Sequence, residues 1–220
     1  MRQLFTKSQM AQLVCLNAPG YHILDFDPLV NLQELHMTTD EDITSTFPFP
    51  SSVVYLKVHT YRQVVGIFPH VKVLKITGES SRVKIRSSTL RELEASAKGV
   101  VVDCPQLTRL TLSGVWRNLY LNTPNVVFLE LNGFRYNYKK LLLEEKFPLL
   151  AHLSLNDYRA QDELYIPQPL KSAKLSLLEL KSRTLTADDV SIWCCKPSTP
   201  KASRPINPIQ HPCCNSIVMI

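Results

Sequence analysis

Glycine is scarce in this chain, and its scarcity excludes several chemistries at once. The 220 residues contain six glycines, placed singly, and none has the spacing of a phosphate-cradling loop. No Gly-x-Ser-x-Gly turn presents a nucleophile, and no His-Glu-x-x-His pair prepares a metal-binding helix. His22, His36, His59, His70 and His152 have no cysteine or carboxylate partner at ligand spacing. Asp40-Glu41-Asp42, Asp162-Glu163 and Asp188-Asp189 are acidic clusters that fall in expected loops and read as solvated turns. An arrangement of His152, Asp157 and Ser154 would be needed for hydrolysis, and nothing in their spacing favours it. We therefore expect no enzyme activity, no cofactor and no bound metal.

Long apolar runs are absent as well. No stretch approaches the ~18 residues that a membrane-spanning helix requires. Gln9 and Gln12 interrupt the amino-terminal segment, so no secretory signal is expected. Acid is missing after Asp189, and residues 191–220 carry only the cations Lys196, Lys201 and Arg204. Residues 1–190 hold 22 Lys/Arg against 19 Asp/Glu, a net +3 out of the +6 of the whole chain. The body is thus nearly neutral, which is a weak basis for nucleic-acid binding despite a pI near 9.0.

The six cysteines do not form a disulfide framework. Cys15 and Cys104 stand alone in apolar contexts, as small buried hydrophobes do. Cys194, Cys195, Cys213 and Cys214 are two adjacent pairs in the tail, with His211 nearby, and their role is open. Adjacent thiols suit tetrahedral zinc poorly, and they do not make a prenylation box. A reducing intracellular setting, the cytoplasm, is the expectation.

What the chain has in quantity is one repeated phrase: apolar, two variable residues, leucine, one variable residue, apolar. It occurs at Leu32–Met37, Val53–Val58, Val71–Ile76, Leu90–Ala95, Leu107–Leu112, Val126–Leu131, Leu150–Leu155 and Leu170–Leu175. The central residues Leu35, Leu56, Leu74, Leu93, Leu110, Leu129, Leu153 and Ala173 are separated by 21, 18, 19, 17, 19, 24 and 20 positions. A period of this size marks a chain that stacks one small unit upon the next. Pro28, Pro69, Pro105, Pro124, Pro148 and Pro169 precede the phrase, where a residue without N–H turns the chain before pairing begins. Gly78, Gly114 and Gly133 follow it and permit a sharp bend.

Between the phrases lie shorter apolar alternations: Val83-Lys84-Ile85, Val100-Val101-Val102, Leu119-Tyr120-Leu121 and Leu164-Tyr165-Ile166. They read as return strands, because units of this length leave little room for a helix of several turns. Tyr138–Phe147 is the exception, with a helix-friendly Lys139–Lys146. Thr6–Leu16 is expected to form a short helix within a cap spanning 1–20. The solenoid then covers 21–190 with about eight repeats, and 191–220 form a proline-rich basic tail expected to be disordered.

The phrase, as in Leu107-Thr108-Arg109-Leu110-Thr111-Leu112 and Val126-Val127-Phe128-Leu129-Glu130-Leu131, resembles the leucine-rich repeat. Cys104–Gly114 is most similar to the irregular short repeats of F-box leucine-rich-repeat proteins. Val115 and Phe134 stand where the commonest repeats have asparagine, and about twenty residues before the first repeat are too few for an F-box. The resemblance implies a strand-dominated α/β fold: a right-handed solenoid with a parallel sheet on its concave face and a mostly irregular or short-stranded convex side.

Alternation along a strand sends the three apolar residues inward and the third and fifth residues outward. The third-position column is Glu34, Tyr55, Val73, Glu92, Arg109, Phe128, His152 and Ser172. The fifth is His36, Lys57, Lys75, Glu94, Thr111, Glu130, Ser154 and Lys174. Tyr55, Lys57, Val73, Lys75, Glu92, Glu94, Arg109, Thr111, Phe128, Glu130 and His152 are the candidate protein-binding residues, with Tyr55, Arg109 and Phe128 of the types that dominate interfaces. The alternative for Phe128 is that the Tyr136–Tyr138 loop covers it. The function expected is a non-catalytic interaction scaffold, monomeric and without a membrane span, whose partner is a protein of unknown identity. One alternative is the substrate-recognition part of a ubiquitin-ligase adaptor lacking its docking domain, decided by co-purification with the ligase's adaptor subunit. Another is nucleic-acid binding through Lys57, Arg62, Lys75 and the tail, which steep salt dependence would reveal.

Overall fold

β-branched residues and leucines alternating with polar ones over five or six positions form half-buried strands, and a turn ends each of them before a helix can start. The computed structural model describes residues 6–18, 27–45, 47, 49–114, 118–132, 147–156, 177–181, 190–193 and 217–219. In chain order the first described elements are α1 (Lys7–Met10), β1 (Cys15–Ala18), β2 (Glu34–Thr38), β3 (Tyr55–His59), β4 (Val64–Ile67) and β5 (Val73–Ser80). There follow β6 (Val83–Arg86), β7 (Glu92–Ala97), β8 (Gly99–Asp103), β9 (Arg109–Ser113) and β10 (Asn118–Asn122). The series closes with β11 (Phe128–Asn132), β12 (His152–Asn156), β13 (Leu177–Lys181), β14 (Val190–Trp193) and β15 (Ile217–Met219). The architecture is strand-dominated, and helix is limited to α1 among the described residues.

Two sheets make a solenoid. The long sheet runs β1-β2-β3-β5-β7-β9-β11-β12-β13-β14-β15, and a second of four strands runs β10-β8-β6-β4. Pairing is parallel from β1 to β13 and throughout the second sheet; only β14 and β15 are antiparallel. The central leucines are direct register partners, in the order Leu16, Leu35, Leu56, Leu74, Leu93, Leu110, Leu129, Leu153, Leu178.

One device recurs at the start of seven strands. The carbonyls of Val14, Gln33, Val54, Lys72, Arg91, Thr108 and Val127 each accept from two consecutive N–H groups of the next turn, at 2.8–3.1 Å. Repetition of this bond pair identifies Leu13–Ala18 as a further copy of the phrase. The helix expected over Thr6–Leu16 is accordingly shorter: Thr6 caps a single turn reciprocally with Gln9, and the chain is already a strand at Cys15.

The expected eighth copy, Leu170–Leu175, also shifts. The strand beside β12 is Leu177–Lys181, so Leu178 occupies the rung assigned to Ala173; residues 170–176 lie outside the described residues. So do Tyr138–Lys146 and Leu164-Tyr165-Ile166. In the expected tail, Val190–Trp193 and Ile217–Met219 are strands, and the rest of 191–220 lies outside the described residues.

The core lies between the sheets. Leu35, Leu56, Leu74, Leu110, Leu129 and Leu153 are fully buried, facing Val64, Val83, Ile85, Val100 and Val102 of the second sheet. Val64–Ile67, not singled out in the sequence, supplies that sheet's edge. At the corner leading to the next rung, prolines begin tight turns: Leu107 N–H donates to Cys104 C=O, Val126 to Thr123 and Leu150 to Phe147, at 3.1–3.2 Å. Pro105, Pro124 and Pro148 hold the position after the accepting residue, where a preset φ favours the turn. At the corresponding corner without proline, the buried Ser87 hydroxyl donates to Phe68 C=O at 2.8 Å and accepts from Thr89 and Leu90 N–H.

Cys104 is buried at such a corner, and burial pushes its thiol up to about 12. Since the reactive species is the thiolate, Cys104 in the native protein should resist a maleimide at pH ~8, while exposed Cys15 reacts. Denaturant should expose both, as peptide mass mapping would record. The neutral thiol favours the fold fully below the ordinary cysteine value, and this contribution is lost as pH rises from there toward 12.

Candidate binding face

The outward side chains of the long sheet form a ruled surface. Nine parallel strands at ~4.8 Å spacing give it a length of about 38 Å. Every third- and fifth-position residue named above from Tyr55 to His152 lies on a strand of this sheet, and adjacent members of each column are register partners. Lys57, Glu92 and Arg109 are exposed, and Tyr55, Val73, Lys75, Glu94, Thr111, Phe128, Glu130 and His152 are half-buried. Ser154, expected on the open side, is instead buried.

At one end of the face the interactions are polar and local. His36 Nε2 and Glu34 Oε1 lie 2.7 Å apart, and the His36 ring is 5.5 Å from that of Tyr55. Lys57 neighbours Lys75 across the rung, but Lys75 turns to the other side and meets Glu94 at 3.0 Å. That carboxylate, first as a hydrogen-bond acceptor and then through its charge, holds the Lys75 ammonium above its usual value. The pair is too exposed to add much stability. Glu130 accepts from Asn132 Nδ2 at 3.1 Å.

The middle of the face is different. Arg109 Cζ sits 3.9 Å from the centroid of the Phe128 ring. Phe128 in turn stacks on His152, with ring centroids 4.2 Å apart and planes inclined by 18°. Three consecutive rungs thus present a guanidinium, a phenyl ring and an imidazole as one flat-sided pile. Such a pile limits rotamer freedom before any ligand arrives, and a cation over an aromatic face gains ~0.5–1 kcal/mol at an exposed site.

The sequence columns place Arg109 and Phe128 side by side but leave open which neighbour Arg109 chooses. Glu92 is its register partner on the other side, and no ion pair joins them. The face is also wider than expected. Thr38, His59, Thr77, Ser96, Ser113 and Asn132 follow the last apolar position on their strands and are half-buried, with His59 Nδ1 3.1 Å from Thr77 Oγ1. Their uniform polarity was the available signal.

The acidic triplet has a structural use. Asp42 accepts from the Gln63 side chain at 2.7 Å and from Gln63 N–H at 3.2 Å, and these bonds lower its pKa. Among the described residues no three His, Cys, Asp or Glu side chains gather as metal ligands, and no helix is long and apolar enough to cross a membrane. In comparisons with known proteins, the chain matches no family, no curated protein and no solved structure.

Proposed function

We propose that this chain is a non-catalytic protein-interaction module of the leucine-rich-repeat type, a monomeric cytoplasmic scaffold that binds a protein ligand on its long parallel sheet. The reading rests above all on the Arg109–Phe128–His152 pile. Aromatic and arginine side chains held in one orientation near the centre of a surface are the usual energetic anchors of an interface. Their neighbours Thr111, Glu94 and Glu130 suit a polar rim. The second sheet has Tyr120 and Ile67 exposed, but its four strands at ~4.8 Å spacing offer only about 14 Å of length.

The test is affinity capture with the wild type beside a variant combining Tyr55→Ala, Arg109→Ala and Phe128→Ala. Each retained protein is then purified and titrated against both. The variant should bind at least about thirtyfold more weakly, with unchanged circular dichroism. A partner held equally by both would refute this face as the binding surface.

A further inference from the structure

The charges of the face differ in what they already touch. Glu34 has His36, Lys75 has Glu94, and Glu130 has Asn132. Two cations remain without an acceptor among the described residues: exposed Lys57, and Arg109, whose contact is with the Phe128 ring. Stacking occupies a face of a guanidinium and leaves its in-plane fork of N–H donors available. A fork held in place by Phe128 and His152 matches a planar carboxylate, which takes two parallel hydrogen bonds from it.

Lys57 and Arg109 are separated by three rungs along the sheet and two residues along a strand. At ~4.8 Å per rung and ~3.4 Å per residue, their Cα atoms lie roughly 16 Å apart. An extended peptide advances ~3.3–3.6 Å per residue, so acids four or five positions apart span that gap. Between them the path crosses Val73 and Lys75 on β5 and Glu92 and Glu94 on β7, so the intervening peptide residues must be uncharged, and one apolar side chain suits half-buried Val73. A polyanion fits badly, because Glu34, Glu92, Glu94 and Glu130 share the surface and like charges brought together oppose association.

We propose that the face takes an extended acidic peptide segment lying across the rungs, with one carboxylate in the Arg109 fork and a second, four or five residues away, on Lys57. This deepens the protein-binding reading and depends on it.

The experiment titrates the full-length, nitrogen-15-labelled protein with a capped synthetic peptide carrying two glutamates five positions apart and a valine between them. Saturable shifts are expected at the Arg109 side-chain Nε–H and at the amides of β3 and β9 by about 5 mM peptide. Arg109→Lys keeps the charge but loses the fork, and should weaken binding about tenfold; Lys57→Gln should weaken it less. Because Arg109 is exposed, Arg109→Lys should leave the fold intact, and its amide spectrum checks the point. Absence of shifts, equal binding of a peptide with adjacent glutamates, or indifference to Arg109→Lys would overturn the proposal. Tighter binding of a single-stranded oligonucleotide at the same signals would overturn it in favour of nucleic acid. If the peptide fails while the triple variant still loses its protein partner, only the acidic-peptide inference falls.

Discussion

Leu110→Ala is expected to remove about 3–4 kcal/mol of stability, whereas Arg109→Ala beside it removes at most about 1 kcal/mol. Leu110 is fully buried and sits in register between Leu93 and Leu129, so truncation opens a cavity inside a column of leucines. That column cannot close the gap by collapse, because the rungs on both sides are held at fixed spacing by ladder hydrogen bonds and by the doubled bonds to Arg91 and Thr108 C=O. The cost therefore belongs near the middle of the range for buried leucine, with the cavity term retained. In a stacked array each unit is stabilised mainly by its neighbours. Native-state hydrogen exchange should accordingly quicken most in β7, β9 and β11 and least in β2 and β3. Urea titration gives the total. A loss spread evenly over all strands would contradict the nearest-neighbour picture.

Seven rungs were legible because a leucine at the fourth position of the phrase must face inward if its apolar flanks do. A slip by one residue would turn the whole set outward. The two end rungs were missed for separate reasons. Met10, Leu13, Val14 and Leu16 satisfy a helical spacing as well as a strand, and a short apolar run cannot decide between the two. Near the other end two overlapping matches compete, Leu170–Leu175 and Leu175–Leu180, and regular spacing favours the first. The rung goes to the match with leucine at its centre, Leu178. Val64–Ile67 escaped notice because Gly66 takes the inward position of its strand and breaks the apolar alternation. For the face, column order was readable, since loops of any length leave rungs in register. The lean of Arg109 toward Phe128 was not. Glu92 and Phe128 are both its cross-strand neighbours, and such pairs differ by less than ~1 kcal/mol.

Among the described glycines, Gly114→Ala should be the most damaging substitution, at about 2–4 kcal/mol, because it combines backbone strain with a collision. Gly114 has φ +123°, and an added Cβ would lie 2.5 Å from Ala97 C=O. The obstacle is backbone of the preceding turn, which cannot rotate away as a side chain does. Retreat would stretch the bond from Gly114 N–H to Asn132 C=O, now 2.9 Å. Gly78 repeats the arrangement less severely, with φ +97° and Thr60 C=O at 2.8 Å, so Gly78→Ala should fall slightly below it. Gly99 supplies the contrast: nothing lies within 4 Å of its added Cβ, and a reduced unfolded-state entropy should leave Gly99→Ala neutral or up to about 1 kcal/mol stabilising. Urea midpoints for the three variants separate the mechanisms. If all three shift alike, chain entropy governs. The ordering Gly114, Gly78, Gly99 follows only if the corner packs its backbone against the carbonyl of the turn before it.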